Sequence, residues 1–187
     1  MGDRVCPFWV GYLLLNPFRI LLENPNKILA PFVCEGMIVL EPGCGMGYFT
    51  LPLARMVGAR GKVIAVEVQS KMLAALENRA RKANLLGRIE LRQTGSDGLG
   101  VEDLFGQVDL AVAIHMVHEV PEQTFFFEEV WKALKPGGKL LVIEPKGHVS
   151  RTQFEQTLKA AENTGFRQDL PPGKVGSRSG LLVKAGS

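Results

Sequence analysis

Short apolar runs that alternate with helical patterns constrain the fold of this chain more than any other feature of its sequence. From residue 37 onward these runs are MIVL, KVIAV, VDLAVAI and KLLVIE, at 37–40, 62–66, 108–114 and 139–144. They are rich in Val, Ile and Leu and show little polar alternation, which is typical of parallel strands covered on both faces. A further strand is predicted in RIELRQ, at 88–93.

Helical patterns fill the intervals between these strands, with boundaries at residues that commonly cap or end helices. The markers are Ser70, Pro121, the tetrapeptide KPGG at 135–138, Ser150 with its capping-box partner Gln153, and Gly165. The stretch 165–185 predicts two strands around a Pro/Gly loop, so the sheet ends in an antiparallel pair. The repeated strand-then-helix units predict a doubly wound α/β sheet, which binds ligands at the carboxyl ends of its strands.

Residues 1–36 lie outside this pattern and predict a separate helical segment ahead of a domain at 37–187. The stretch NPFRILLENPNKILAPF predicts two short helices, each beginning at Asn-Pro, where Asn caps and Pro takes the first helical position. One interpretation is an arm that packs on the sheet edge or on a second subunit, which would make an oligomer. The other is a lid over the active site, with Phe8, Trp9 and Tyr12 lining a substrate pocket.

Composition and charge argue against several classes of protein. The 22 basic and 19 acidic residues are well mixed and leave a net charge of +3, too small to indicate a nucleic-acid partner. The most apolar segment, GYLLLNPFRILL, is interrupted by polar residues and is too short to span a bilayer. The cysteines, Cys6, Cys34 and Cys44, lack C-x-x-C spacing. That argues against a disulfide framework or a zinc knuckle and favours the cytoplasm.

The segment VLEPGCGMGYFTLPLA, at 39–54, predicts a strand, a glycine turn and the start of a helix. Gly43, Gly45 and Gly47 allow a tight turn and let a ligand approach the backbone closely. Dinucleotide dehydrogenases also use such a turn, but their G-x-G-x-x-G fingerprint would require glycine where Tyr48 stands. A dehydrogenase is therefore a distant alternative.

Two acidic residues at strand ends narrow the choice of ligand. Glu41 precedes the turn, where its charge would oppose a pyrophosphate but would suit a cationic or zwitterionic ligand without phosphate. Glu67 ends the second strand, where a carboxylate can accept both hydrogen bonds of a ribose diol. NAD-binding proteins share that position, so Glu67 favours an adenosyl ribose without identifying the rest of the ligand.

With these motifs in sequential order, residues 37–187 resemble the class I S-adenosylmethionine-dependent methyltransferases, of the small single-domain, general methyltransferase type. LEPGCGMGYFT resembles their E/D-x-G-x-G-x-G motif, and VIAVEV resembles their second strand with its ribose-binding acid. GSDG, at 95–98, resembles the segment after strand three, and LKPGGKLLVIEP resembles the stretch leading into strand five. The family implies a Rossmann-like, seven-stranded sheet of order 3-2-1-4-5-7-6, with the last strand antiparallel.

The resemblance implies S-adenosylmethionine as cofactor, with S-adenosylhomocysteine as its product. The three glycines would lie under its methionine and ribose portions, and Glu41 would lie near its amino group. Glu67 would bind the ribose hydroxyls. The implied cofactor-binding residues are Glu41, Gly43, Cys44, Gly45, Gly47, Glu67, Val68, Ser96 and Asp97 beside the adenine, Ile114, and His115 through its backbone.

The segment IHMVHEVPE, at 114–122, resembles the ending of strand four in general methyltransferases. That alignment makes His118 and Glu119 the candidate catalytic residues. His118 would face the methyl group as a base or acceptor clamp, or would only shape the pocket. Glu119 would orient His118, contact the substrate, or be a solvated carboxylate. The spacing H-x-x-H-E matches neither H-E-x-x-H nor H-x-x-E-H, so no metal site is predicted.

The function that follows is methyl transfer from S-adenosylmethionine to a small, partly apolar acceptor. Strand four ends in IHMV rather than N-P-P-Y, which argues against methylation of adenine or glutamine amide nitrogens. The sequence leaves two alternative functions open. One is an RNA or protein methyltransferase, and the other is a non-catalytic S-adenosylmethionine-binding subunit.

Overall fold

The computed structural model of the chain describes residues 23–95, 98–170 and 178–186. The strands are β1 Ile38–Pro42, β2 Lys62–Glu67, β3 Ile89–Gln93, β4 Val108–Ile114, β5 Leu134–Ile143, β6 Phe166–Leu170 and β7 Ser179–Lys184. The helices are α1 Pro25–Leu29, α2 Thr50–Met56, α3 Ser70–Lys82, α4 Gln123–Ala133 and α5 Arg151–Asn163. The seven strands form one sheet in the order β3-β2-β1-β4-β5-β7-β6, which confirms the Rossmann-like order implied by the resemblance.

The chain divides into two compact units between Ser96 and Asp97. In the first unit β1, β2 and β3 pair in parallel, with Glu41 opposite Ala65 and Glu67 opposite Gln93. The middle residues of β1 and β2 are buried on both faces, which accounts for their continuous apolar sequence. Because parallel strands end at the same edge, Glu41 and Glu67 both lie where the chain leaves the sheet.

The helical segment predicted ahead of the sheet is confirmed in part. Asn24 caps α1 by accepting hydrogen bonds from the backbone of Asn26 and Lys27, and Pro25 takes the first helical position. This confirms the second of the two Asn-Pro helices. The first, together with the aromatic residues at 8, 9 and 12, lies outside the described residues. The arm and the lid therefore remain predictions.

In the second unit β4 and β5 pair in parallel, and β7 lies between β5 and β6, antiparallel to both. Phe126, Phe127 and Val130 of α4 are buried, as are Phe154 and Leu158 of α5. The predicted antiparallel end of the sheet is thus confirmed. Its connecting loop, 171–177, lies outside the described residues.

Helix boundaries in this unit differ from the sequence expectation at α4. The helix begins at Gln123 rather than Pro121, and it ends at Ala133, before the KPGG tetrapeptide. β5 already begins at Leu134 and takes in 135–138 through an irregular register between Val108 and Leu110 of β4. Gly137 adopts a φ of 76°, which lets the strand bend there. The capping box of Ser150 and Gln153 on α5 is confirmed.

Within the ranges that the structure describes, no helix is long and apolar enough to cross a membrane.

Candidate active site

The glycine turn follows β1 and is anchored on β2. The backbone N–H groups of Gly43 and Cys44 both donate to the carbonyl of Val66, at 2.8 and 3.2 Å. Gly43, Gly45 and Gly47 have φ values of 68°, 53° and 84°, a region that side-chain-bearing residues rarely adopt. The alternating glycines are therefore required by the backbone itself.

The glycines differ in the space around them. A Cβ at Gly47 would overlap Cδ1 of Leu76, which is fully buried in α3, so this glycine lets the turn pack on the helix. A Cβ at Gly45 would meet only Sδ of Met72, at 3.7 Å. Gly45 therefore keeps backbone open for a close ligand approach, as a cofactor loop requires.

Glu67 organises the turn as well as ending β2. Its Oε2 accepts the backbone N–H of Gly45 at 3.0 Å, and its Oε1 accepts those of Val68 and Gln69 at 2.8 and 3.0 Å. A carboxylate has about four acceptor positions, so these bonds leave about one for a ligand hydroxyl, on Oε2. The ribose interaction predicted for Glu67 would thus go through a single oxygen.

Glu41 is buried beneath the turn without a hydrogen-bond partner for one of its oxygens. It is 4% exposed, and among the described residues neither its Oε2 nor Oγ1 of Thr50 forms a hydrogen bond. Burial raises the pKa of Glu41 to about 8; the neighbouring Thr50 side chain acts against that rise, and the negative charge of Glu67 adds to it. A ligand cation beside Oε2 would supply the missing partner and favour the carboxylate.

Cys44 lies in the same surroundings and is buried. Burial, followed by the negative charges of Glu41 and Glu67, raises the pKa of its thiol well above the ordinary value. The side chain therefore stays a neutral thiol, so Cys44 is a small buried residue of the turn rather than a nucleophile.

The raised pKa of Glu41 predicts a stability that depends on pH. The unfolded chain loses the Glu41 proton near pH 4.5, whereas the folded protein keeps it up to about pH 8. Folding stability therefore falls across this window as pH rises, by up to about 1.4 kcal/mol per pH unit. Glu41→Gln has no such proton, so its free energy of unfolding relative to wild type should increase steadily from pH 5 to pH 8.

Urea unfolding of both proteins without cofactor, at four pH values across that window, measures this difference. Glu155→Gln, at an exposed position of α5, is the matched control and should show no trend relative to wild type. A Glu41→Gln difference that is flat with pH would mean that Glu41 is charged in the folded protein.

Two side chains brace the turn in roles that the sequence did not indicate. Nη1 of Arg79, on α3, donates to the carbonyl of Met46. The hydroxyl of Tyr48 donates to the carbonyl of Glu23, at 2.7 Å, just before α1. Nothing in their local sequence marks these roles, because both bonds depend on contacts formed only in the folded chain.

In the second unit, His118 is held by a buried carboxylate at the end of β5. Nδ1 of His118 lies 2.6 Å from Oε2 of Glu144, and the His118 backbone N–H donates to Oε1 at 3.1 Å. The Glu144 side chain is 1% exposed and the His118 side chain 25% exposed. Since a carboxylate accepts, Nδ1 carries the ring proton and Nε2 presents a lone pair. This is the arrangement of an oriented general base.

Glu119 takes a different place from the one expected for an orienting partner. Its Oε1 lies 3.9 Å from Nε2 of His118, whereas Glu144 contacts the other ring nitrogen, Nδ1, at 2.6 Å. The residue that fixes the imidazole is therefore Glu144, which sequence reasoning missed. A signal was present: IEP at 143–145 repeats the acid at the end of a buried strand seen in LEP at 40–42.

The other predicted site residues are placed as follows. Ile114 ends β4 and is nearly buried, and His115 follows with a φ of 59° and donates its N–H to the carbonyl of Ile143 at 2.7 Å. Val68 is 40% exposed beside Glu67. Ser96 and Asp97 lie outside the described residues, so their place beside the adenine stays a prediction.

Across the described ranges, no group of three or more His, Cys, Asp or Glu residues could hold a metal ion.

The residues of the first unit fit S-adenosylmethionine. The unpartnered Oε2 of Glu41 suits the ammonium of its methionine portion, and the open backbone at Gly45 suits close approach. The free position on Oε2 of Glu67 suits one ribose hydroxyl.

Comparison with known proteins identifies the family. A family model described as a methyltransferase domain matches residues 40–142. Relatives named ubiquinone/menaquinone biosynthesis C-methyltransferase UbiE are 29% identical over 72% of the chain (Erwinia tasmaniensis) and 31% identical over 81% (Salmonella arizonae). These alignments cover 51% and 55% of the relatives, so the chain spans about half their length.

Solved structures agree with this assignment. The crystal structure of a SAM-dependent methyltransferase from Aquifex aeolicus superposes with a TM-score of 0.82 at 25% identity, covering 96% of this chain and 97% of the other. The crystal structure of a putative S-adenosyl-L-methionine-dependent methyltransferase from Methanococcus maripaludis has a TM-score of 0.77 at 16% identity. The match covers 100% of this chain and 97% of the other, and it shows the shared fold alone. The chain belongs to the class I S-adenosylmethionine-dependent methyltransferase family.

Proposed function

We propose that this protein transfers a methyl group from S-adenosylmethionine to a small, partly apolar acceptor whose hydroxyl proton is removed by His118. The observation that carries the proposal is the 2.6 Å contact between Nδ1 of His118 and the buried carboxylate of Glu144. A methyl transfer needs such a base only when the nucleophile must lose a proton, as a hydroxyl or an acidic carbon does. An oriented base therefore favours acceptors of this kind.

The first unit would hold the cofactor through Glu41, Gly45 and Glu67. When bound, S-adenosylmethionine supplies a methyl group on a sulfonium that is already activated for in-line displacement. In the second unit Nε2 of His118 takes the hydroxyl proton, and the negative charge of Glu144 stabilises the imidazolium that results. Glu119, 3.9 Å from Nε2, would add to that stabilisation.

The relatives support the acceptor class. Their names describe C-methylation in ubiquinone and menaquinone biosynthesis. Removing the proton of a ring hydroxyl raises electron density on the neighbouring ring carbons, so one base can serve either oxygen or carbon methylation. We propose the cytosol as the compartment, because an exposed free thiol such as that of Cys34 stays reduced there.

A transfer experiment with labelled cofactor tests the proposal. The protein is incubated with cell extract and S-adenosylmethionine carrying an isotopic methyl group, and the products are separated into small molecules, RNA and protein. We expect the label in an organic-extractable small molecule, and none in a parallel reaction without the protein. Label recovered only in material sensitive to ribonuclease or protease would overturn the acceptor class. An absence of protein-dependent label in any fraction would overturn catalysis.

A further inference from the structure

Three buried glutamates lie at or next to the ends of strands, and the residue that follows each one affects how its charge is supported. Glu67 is followed by Val68 and Gln69, whose backbone N–H groups both donate to it. Glu41 and Glu144 are each followed by proline, which has no N–H to donate. A carboxylate at either of these two positions therefore depends on donors from elsewhere in the chain or from a ligand.

Glu144 obtains its donors from His118. The backbone N–H of His118 donates to Oε1 at 3.1 Å, and Nδ1 of the imidazole lies 2.6 Å from Oε2. Glu41 has no equivalent partner within the part of the chain that the structure describes, since its buried Oε2 accepts no hydrogen bond. Two acids with the same Glu-Pro pattern thus differ, because only one of them has a donor inside the protein.

The N–H groups of the glycine turn do not serve Glu41, because they are bonded to other acceptors. Those of Gly43 and Cys44 donate to a carbonyl of β2, and that of Gly45 donates to Glu67. A buried carboxylate that lacks donors loses its hydration without compensation. The bonding of the turn itself therefore favours the neutral acid at Glu41.

The titratable and charged groups around Glu41 do not compensate for its burial. Glu67, on the adjacent β2, is negative, and the buried thiol of Cys44 is neutral. The Thr50 hydroxyl, on α2, favours the carboxylate, but burial outweighs it and holds the pKa of Glu41 at about 8. Arg79, on α3, donates to a carbonyl of the turn rather than to Glu41.

We propose that Glu41 is a neutral acid in the cofactor-free protein and that the ammonium group of the cofactor displaces its proton, so that each binding event releases one proton. The O–H bond of Glu41 breaks and its proton passes to the solvent, while the ammonium keeps its protons and donates to the carboxylate. The cofactor thereby supplies the donor that Pro42 and the turn do not provide. The inference concerns the cofactor alone and holds for any methyl acceptor.

This linkage makes Glu41 a residue that determines specificity as well as one that binds. A ligand with an ammonium group at this position gains an ion pair, whereas a ligand without one leaves Glu41 protonated. The affinity for S-adenosylhomocysteine should therefore increase as pH rises, because less proton has to be displaced. From pH 6 to pH 7 its dissociation constant should fall about ninefold, close to the limit for one proton.

Isothermal titration calorimetry of the full chain with S-adenosylhomocysteine counts the protons released. The binding enthalpy is measured at pH 7 in phosphate, MOPS and imidazole, and its slope against the ionisation enthalpy of the buffer gives the number of protons. We expect about 0.9 proton per cofactor bound, because Glu41 is about nine-tenths protonated one pH unit below its pKa.

Two comparisons attribute this proton to Glu41 and to the ammonium group. Glu41→Gln with S-adenosylhomocysteine should release less than about 0.2 proton, and so should wild type with methylthioadenosine, which has no ammonium group. Glu155→Gln, at an exposed position of α5, should release as much as wild type. The methylthioadenosine comparison uses wild type only, so it decides the question even if Glu41→Gln binds too weakly for calorimetry.

Three results would each overturn the inference. The first is S-adenosylhomocysteine binding to wild type at pH 7 with less than about 0.2 proton released. The second is a release by Glu41→Gln equal to that of wild type, and the third is an equal release with methylthioadenosine. All three would leave the proposed function standing, because that function is tested by label transfer to the acceptor.

Discussion

His118→Gln is expected to lower kcat by about 10²- to 10⁴-fold while leaving the affinity for S-adenosylhomocysteine within twofold of wild type. Gln keeps the backbone N–H bond to Oε1 of Glu144, and its amide can donate to the same carboxylate. It cannot take up a proton as Nε2 does, so the loss should appear in turnover. Steady-state kinetics with the acceptor identified by label transfer, together with calorimetry, measure both quantities.

Substitution of Glu144, the partner of His118, should lower kcat less than substitution of His118 itself. Glu144→Gln removes the charge that stabilises the imidazolium, so kcat should fall by a smaller factor than in His118→Gln. Glu155→Gln, at an exposed position, should have no effect on kcat. A kcat for His118→Gln within about threefold of wild type would reduce His118 to a residue that shapes its pocket.

Glu67→Ala is expected to weaken cofactor binding by more than tenfold and to lower the unfolding temperature. The substitution removes a charged acceptor for three backbone N–H groups, at Gly45, Val68 and Gln69, and each such bond contributes about 1.5–3 kcal/mol. The glycine turn loses the bond from Gly45 to the end of β2 and keeps only those from Gly43 and Cys44 to Val66. Calorimetry with S-adenosylhomocysteine and thermal unfolding measure the two effects, with Glu77→Ala on α3 as the control.

The affinity for a cofactor fragment distinguishes the roles of Glu41 and Glu67. Methylthioadenosine keeps the ribose but lacks the amino-acid portion of the cofactor. Glu67→Ala should weaken both ligands by a similar factor, whereas Glu41→Gln should weaken only S-adenosylhomocysteine. Unchanged affinity of Glu67→Ala for both ligands would show that the cofactor-binding role predicted for this residue is misplaced.

The order of elements could be predicted from sequence because each strand carries its own signal. Runs such as KVIAV are buried on both faces of a parallel sheet, and that environment selects continuous Val, Ile and Leu. The capping box of Ser150 and Gln153 could also be predicted, because its signal lies within four consecutive residues. The place of the KPGG stretch in β5 could not be predicted, because it depends on an irregular pairing with β4 that no local pattern encodes.

The sequence indicated individual residues of the candidate site but not the contacts between them. Glu67, Gly45 and His118 were singled out, but the bond between Gly45 and Glu67 and the partnership of His118 with Glu144 were not, since the paired residues lie 22 and 26 positions apart in the sequence. The raised pKa of Glu41 likewise results from burial beneath the turn, a property of the packed protein rather than of its motif.

The position of β7 has a consequence for how the protein is made. β7 lies between β5 and β6, yet it follows both in the sequence. While the ribosome is still upstream of residues 179–184, β5 and β6 have no neighbour to pair with on that side. The nascent chain therefore presents two open strand edges until residues 179–184 have been made, which makes this end of the sheet a place where chaperones or aggregation compete with folding.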